Sequence, residues 1–174
     1  MPLELRALAR EFDLGGVTLF ARNIDSPEQV ADLAHDLRRL GGEWPSWVAI
    51  DQEGGRVARL RAPFTEWPPM AALGRADSEA LADRFARAMA RELRAVGVSL
   101  DFAPVLDVHT NAANPVIGDR AFSDRADRVG ALGSVRRPAH LRDHAQAGAP
   151  GRGVRDDPVG AREPHVVAAV VREV

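Results

Sequence analysis

Apolar side chains recur every three to four residues in three stretches of the chain, which is the spacing of one helical face. The stretches are 2–12, 26–40 and 78–96. Ser26 followed by Pro27 is a typical helix start, because serine caps free backbone N–H groups and proline fits the first helical position. Glycines follow each stretch and favour its end. The pattern therefore predicts three amphipathic helices.

Three short runs rich in strand-forming residues lie between or after these helices, at 16–21, 46–51 and 98–108. The order helix–strand, repeated three times, is typical of β–α units that build a parallel sheet, so the predicted fold class is α/β. The stretch 61–74 contains three prolines, and 109–124 is dense in Asn, Pro, Gly and Asp. Both are predicted to be loops without regular structure.

The composition changes after residue 133. Residues 134–165 contain much Arg, Ala, Gly and Pro, a single Leu, and no Phe, Trp or Ile. Such a stretch buries too little apolar surface to offset the entropy of ordering. We expect one domain over 1–133 and a divergent, poorly ordered tail over 134–174, whose end, 166–174, forms at most a stub of helix or strand.

The overall composition and charge argue against some classes of function. The 174 residues are 45% hydrophobic and 28% charged, with a formal net charge of -2 and no cysteine. This balance predicts an ordinary globular protein without the basic surface that nucleic acid or an anionic membrane would require. Neither a secretory leader nor a membrane-spanning run is expected. Without cysteine there is no disulfide framework, which fits the cytosol and other compartments alike.

Polar side chains that carry chemistry gather where the predicted strands end. In parallel α/β folds these ends form the ligand site. Carboxylates, amides and guanidinium groups suit a ligand with many hydroxyl groups, such as a sugar, and the glycines at 54 and 55 would let the backbone approach it. The candidates, in chain order, are Arg22, Asn23, Asp51, Glu53, Arg56, Arg59, Asp101, Asp107, Asn114, Asp119 and Arg120.

Each candidate also has a purely structural interpretation. The charged residues of 51–59 can pair with one another on a solvated turn. Asp101 and Asp107 can cap backbone amides. Asp107 and His109 are only two potential metal ligands, which is weak evidence for a metal site. Arg120 can form a surface ion pair. Taken singly, these residues leave the function open.

Taken together, five motifs resemble a known family. "GGVTLFARNI", "IDQEGGRVARL", "FTEWPPMAALG", "GVSLDFAPVLDV" and "NPVIGDRAFSD" follow one another in this order. Their combination resembles the N-terminal part of glycoside hydrolase family 3, in its β-N-acetylglucosaminidase (β-hexosaminidase) branch. The resemblance covers about residues 14–133.

The resemblance implies a (β/α)8 barrel that hydrolyses terminal β-linked N-acetylglucosamine with retention. In bacteria such enzymes act in the cytoplasm on peptidoglycan fragments during cell-wall recycling. Asp51 matches the acid that holds sugar hydroxyls, and Arg59 and Arg120 match two arginines that contact the substrate. The implied partner is a small saccharide, with no cofactor, metal, nucleic acid or membrane.

The chain also departs from the family pattern. Retention requires an acid/base and a nucleophilic carboxylate about 5–5.5 Å apart, and in this branch the acid/base comes from a "KHFPGHGDT"-like loop. Nothing in 134–165 matches that loop, so no catalytic residue is assigned here. A full barrel takes about 250 residues, and we expect a truncated member whose tail is out of frame. The alternatives are a non-catalytic saccharide-binding or split-barrel partner module, and a decayed gene product.

Overall fold

A computed structural model of the chain describes residues 3–40, 46–134 and 167–168. These residues contain the three predicted helices and the three predicted strands in the predicted order, with two further helices and one further strand. Two 3₁₀ turns, at Ala21–Asn23 and Gly118–Arg120, follow the first strand and precede the last helix. The elements are α1 (Leu3–Phe12), β1 (Gly16–Leu19), α2 (Pro27–Arg38), β2 (Trp47–Ile50), α3 (Met70–Ala76), α4 (Glu79–Ala95), β3 (Leu100–Asp101), α5 (Ala126–Gly133) and β4 (Val167–Ala168).

All strands of the sheet run parallel, in the order β1-β2-β3-β4. Leu19 is paired with Ile50, and Ile50 is paired in turn with Asp101. The carboxyl ends of the first three strands are therefore level, and the residues that follow them emerge at one edge of the sheet. This register confirms the predicted parallel α/β architecture.

The main core lies between the sheet and helices α2 and α4. Its buried side chains come from both helices and from the strand interiors, and each large aliphatic side chain in it contributes about 1.5–3 kcal/mol. Ser26 caps α2 and Ser78 caps α4, each by accepting a hydrogen bond from a backbone N–H three residues ahead. The core residues are Leu19, Val30, Ala34, Leu37, Val48, Ile50, Leu60, Met89, Leu93, Val96 and Val98.

A second, smaller core packs α3 and α5 around one aromatic side chain. Met70 and Leu73 of α3 and Val129 and Leu132 of α5 are buried with Phe122. Phe122 comes two residues after the second 3₁₀ turn. Burial of Phe122 therefore anchors the end of the loop that carries Arg120.

The predicted loop over 61–74 is wrong at its end, because α3 begins at Met70. Proline breaks a helix when it lies inside it, but it is tolerated just before the first turn. Pro69 occupies that position in α3. The third strand is also shorter than the predicted 98–108: it pairs only at Leu100–Asp101. Pro104 lacks the N–H that would continue the ladder.

Most of the predicted poorly ordered stretch, 134–165, lies outside the described residues. The described strand β4 falls within 166–174, where a stub of helix or strand is expected, and it pairs in parallel with β3. Within the described ranges, no helix has both the length and the apolar composition needed to cross a membrane.

Candidate saccharide site at the strand ends

Asp51 and Arg59 form the first ion pair of the site. Asp51 directly follows β2, and Arg59 Nη2 donates a hydrogen bond of 2.8 Å to Asp51 Oδ2. Both side chains are about one-quarter exposed, so their outward faces stay open to solvent. Arg59 therefore reaches back to the strand end, and the two groups present an acceptor and a donor side by side.

Gln52 holds the turn that makes this pairing possible. Its side chain is buried, and its Oε1 accepts hydrogen bonds from the backbone N–H groups of Arg59 and Leu60 at 2.8 and 3.0 Å. Its Nε2 donates to the carbonyl oxygen of Leu60 at 3.0 Å. One amide thus satisfies three backbone groups, which fixes where Arg59 starts. Gln52 was not among the predicted site residues, although it lies within the motif "IDQEGGRVARL", because a neutral amide between two carboxylates does not by itself indicate a role.

Glu53 and Arg120 form the second ion pair, across 67 residues of sequence. Nε and Nη2 of Arg120 each donate a 2.8 Å hydrogen bond to one carboxylate oxygen of Glu53. The Glu53 side chain is only 5% exposed and that of Arg120 is 22% exposed. The hydrogen bonds with Glu53 raise the pKa of Arg120, against the effect of burial. This two-point contact fixes the plane of the Arg120 guanidinium group.

Arg56 joins the same turn to the loop before Arg120. Its Nη2 donates to the carbonyl oxygens of Pro115 at 2.9 Å and Ile117 at 3.1 Å, and also to that of Val116. Its Nε donates to Asp119 Oδ1 at 3.2 Å. Arg56 and Glu53 therefore reach the loop 115–120 at two separate places.

The glycines in the middle of this turn make room for protein backbone. Gly54 and Gly55 have φ values of +93° and +58°, which glycine adopts without the strain other residues suffer. A Cβ on Gly54 would run into the carbonyl oxygen of Pro68, and Gly55 N–H donates to the carbonyl oxygen of Trp67 at 2.7 Å. The expected role of ligand access is thus replaced by close packing of the loop that leads into α3.

Asp101 lies beside these pairs as a buried carboxylate. It ends β3, is 5% exposed, and accepts a 2.9 Å hydrogen bond from Gln52 N–H through Oδ1. Burial raises its pKa to about 7, helped by the charges of Asp51 and Glu53 and opposed by the Gln52 hydrogen bond. Asp101 thus accepts from a backbone amide, but from that of Gln52 after the neighbouring strand β2 and not from one close to it in sequence.

The remaining candidate residues make contacts of other kinds. Asn23 and Asn114 accept hydrogen bonds from backbone N–H groups of their own loops. Asp107 is exposed and acts on Arg120 only through its charge. Arg22 lies over the ring of Phe20, 4.7 Å from its centroid. The described ranges hold no group of three His, Cys, Asp or Glu side chains suited to a metal ion.

Phe20 is a second residue that the sequence reasoning missed. It follows β1, is 36% exposed, and has the guanidinium carbon of Arg59 at 5.8 Å from its ring centroid. An aromatic face beside a donor–acceptor pair suits the apolar face of a sugar ring. The sequence placed Phe20 inside the predicted strand 16–21, and only the end of β1 at Leu19 puts it at the strand end.

A cavity of about 540 Å³ adjoins Glu53 and Asp101 on the side of the helices. Most of its lining is apolar, with Met70, Phe85 and Leu132 among the contributing side chains. Such walls suit the packing of further protein rather than a hydroxyl-rich ligand. The candidate ligand site is therefore the polar edge at the strand ends.

The strands of this parallel sheet end at the same level, and carboxylates and arginines cluster at that edge. Such a site is typical of α/β proteins that bind polar small molecules at the carboxyl ends of their strands. The chain matches the family model "Glycosyl hydrolase family 3 N terminal domain" over residues 3–137. It therefore belongs to glycosyl hydrolase family 3.

Relatives and solved structures agree with this assignment. A "Beta-hexosaminidase" of Pseudomonas aeruginosa (strain LESB58) is 41% identical over 155 residues, which is 86% of this chain and 46% of the relative. A "Beta-hexosaminidase" of Nitrosomonas eutropha is 45% identical over 115 residues, 63% of this chain and 32% of the relative. This chain thus spans less than half the length of these curated relatives.

Two solved structures show the same arrangement of the backbone. A glycoside hydrolase family 3 β-N-acetylglucosaminidase from Paenibacillus sp. superposes with a TM-score of 0.72 at 41% identity, covering 76% of this chain and 26% of that one. NagZ from Neisseria gonorrhoeae, in complex with N-trifluoroacetyl-D-glucosamine, gives 0.70 at 33% identity, covering 76% and 41%. The described fold is accordingly similar to part of each of these proteins.

Proposed function

We propose that this chain supplies the substrate-binding part of a retaining β-N-acetylglucosaminidase. Its substrate is a saccharide that ends in β-linked N-acetylglucosamine, derived from peptidoglycan and met in the cytoplasm. Asp51, Arg59 and Arg120 are the substrate contacts. The two ion pairs at the level ends of β2 and β3 carry this proposal, because they offer fixed acceptors and donors to a ring of hydroxyl groups. Relatives named β-hexosaminidase support it.

The proposed hydrolysis needs substrate-binding residues, which this chain contains, and catalytic residues, which are not assigned in it. The Asp51 carboxylate accepts from sugar hydroxyls, while Arg59 and Arg120 donate in directions set by Gln52 and Glu53. The acid/base and the nucleophile belong to a complete (β/α)8 barrel. We place the barrel portion over 1–133 and treat 134–174 as a separate segment; the family match over 3–137 supports a boundary near that point.

Binding and turnover should be measured on the same preparation. Chemical-shift titration with N-acetylglucosamine reports binding, and a chromogenic N-acetyl-β-glucosaminide reports hydrolysis. Asp51→Asn should weaken binding about tenfold, because it removes a charged acceptor. Asp36→Asn, which changes an exposed carboxylate on α2, is the matched control.

The outcomes separate the candidate functions. Saturable binding that Asp51→Asn weakens supports the proposed site, and turnover in addition would mean that the acid/base and the nucleophile also lie in this chain. Saturable binding without turnover supports the alternative of a non-catalytic saccharide-binding or split-barrel module, which the apolar cavity beside Asp101 favours as a surface for further protein. Absence of binding, or equal binding by Asp51→Asn, contradicts the proposed site.

A further inference from the structure

We propose that Arg56 is a positioning residue for Arg120, because it holds the loop 115–120 in the conformation that presents Arg120 to a saccharide. This inference rests on the proposed function, since it takes Arg120 to be a substrate contact. Arg56 itself need not touch the ligand. The observations that carry it are the contacts between the turn 53–56 and this loop.

Burial holds the loop only at its end, where Ala121 and Phe122 are buried. Ahead of that end, Pro115, Val116 and Asp119 are exposed, and Val116 is 60% exposed. Within the loop, Asn114 Oδ1 accepts from Val116 N–H at 2.9 Å, which shapes the chain but does not tie it to the rest of the protein. An exposed stretch that is anchored at one end opens easily unless polar contacts hold it.

Arg56 supplies such contacts from the opposite turn. Its guanidinium group donates to three successive carbonyl oxygens, those of 115–117, and to the carboxylate of Asp119. The exposed ion pair with Asp119 contributes little alone, since its side chains are 47% and 50% exposed. Charge-assisted hydrogen bonds to consecutive carbonyls, however, constrain the direction of the backbone that leads into Arg120.

Glu53 cannot set that direction by itself. It orients the guanidinium plane of Arg120 through two hydrogen bonds, but a long side chain can reach the same carboxylate from several backbone positions. Arg120 Nη1 also donates to the Val116 carbonyl oxygen at 3.2 Å, the same carbonyl that Arg56 contacts. Arg56 thus fixes the backbone and Glu53 fixes the end group.

A mutant cycle tests this role on the full 174-residue chain. Arg56→Ala should weaken N-acetylglucosamine binding about tenfold, the size expected for a misplaced contact group. In a Glu53→Gln/Arg120→Ala background, which leaves no unpaired carboxylate buried, the same substitution should change binding by less than about twofold. The charge-matched control is Arg84→Ala, because Arg84 is an exposed arginine of α4 that forms no ion pair or hydrogen bond within the described part of the chain.

Amide exchange and a conservative variant separate positioning from general instability. Arg56→Ala should speed exchange at 116–121 about tenfold while leaving the amides of β2 and α4 unchanged. Arg56→Lys keeps the charge and one donor group for the carbonyls, so it should recover part of both the binding and the protection. It loses the contact with Asp119.

Each outcome decides one question. Equal binding by wild type and Arg56→Ala, or an equal loss in both backgrounds, overturns the positioning role and leaves the proposed function standing. A wild-type chain that binds no N-acetylglucosamine overturns the proposed function and this inference with it. A tenfold loss confined to the chain that retains Arg120, together with faster exchange at 116–121, supports the positioning role.

Discussion

Glu53 and Arg120 lie face to face, with two parallel hydrogen bonds of 2.8 Å between carboxylate and guanidinium group. One residue comes from the turn after β2 and the other from the loop after β3. The pair thus ties two strand ends together at the edge where the proposed saccharide site lies. Because Glu53 is almost fully buried, this pair matters for folding as well as for the site.

Replacing Glu53 with Gln should lower the free energy of unfolding by about 2 kcal/mol. The glutamine amide keeps the shape of the side chain but replaces one acceptor oxygen with a donor, so one of the two charge-assisted hydrogen bonds is lost. The partly buried Arg120 also loses its counter-charge. Urea unfolding monitored by tryptophan fluorescence measures the change. Asp36→Asn, at an exposed ion pair with Arg6, should cost less than about 0.5 kcal/mol; similar losses in both variants would contradict the prediction.

Asp101→Asn should alter the pH dependence of stability. The pKa of Asp101 is raised from 3.8 to about 7, so the folded state binds its proton more tightly than the unfolded state does. Its contribution to the free energy of unfolding is fully present below about pH 4 and is lost as the pH rises through about 7. The total change is on the order of 4 kcal/mol. Asparagine still accepts from Gln52 N–H but cannot titrate.

Unfolding free energies of wild type and Asp101→Asn between pH 4 and 8 check this prediction. Relative to the variant, the wild type should lose stability steadily as the pH rises across this range. Other titrating groups are common to both proteins and cancel in the difference. Two parallel curves would show that Asp101 keeps an ordinary pKa.

Two helical glycines should respond in opposite ways to alanine. Gly74 of α3 lies so close to Phe122 that a Cβ would overlap its carbonyl oxygen, whereas nothing lies within 4 Å of the corresponding position on Gly130 of α5. Gly74→Ala should therefore destabilise the fold by about 2 kcal/mol or more, and Gly130→Ala should stabilise it by about 0.5–1 kcal/mol through helix propensity. Thermal unfolding of both variants measures the signs; a stabilising Gly74→Ala would refute the close packing of α3 on Phe122.

Gln52→Leu should destabilise the protein by about 3 kcal/mol, because three buried backbone groups of Arg59 and Leu60 lose their partner. Gln29→Leu is the comparison, since Gln29 also bridges backbone groups, at the exposed start of α2; there water replaces the lost contacts and the cost should stay below about 1 kcal/mol. Denaturant unfolding distinguishes the two. Equal costs would mean that the turn after β2 is not held by Gln52.

Local patterns predicted most of the elements, because their causes are local. The spacing of apolar residues determines α2 and α4, and α2 begins where Ser26 indicates. Helix α3 was missed because its prolines lie just before its first turn, where they do no harm. The short length of β3 also escaped prediction, since pairing depends on the neighbouring strand as well as on propensity.

The sequence by itself determined the α/β class, the order of the elements, the family and the short list of polar residues at the strand ends. These follow from periodicity and from motifs that lie within a few residues of one another. The pairing of Arg59 with Asp51, eight residues apart, was already open to the sequence. Only the tertiary structure decided the distant partners: Glu53 with Arg120, and Arg56 with the loop 115–119. Contacts across about sixty residues depend on strand register and loop packing, and no local pattern records them. Burial, which gives Asp101 its raised pKa, likewise exists only once the chain has folded around it.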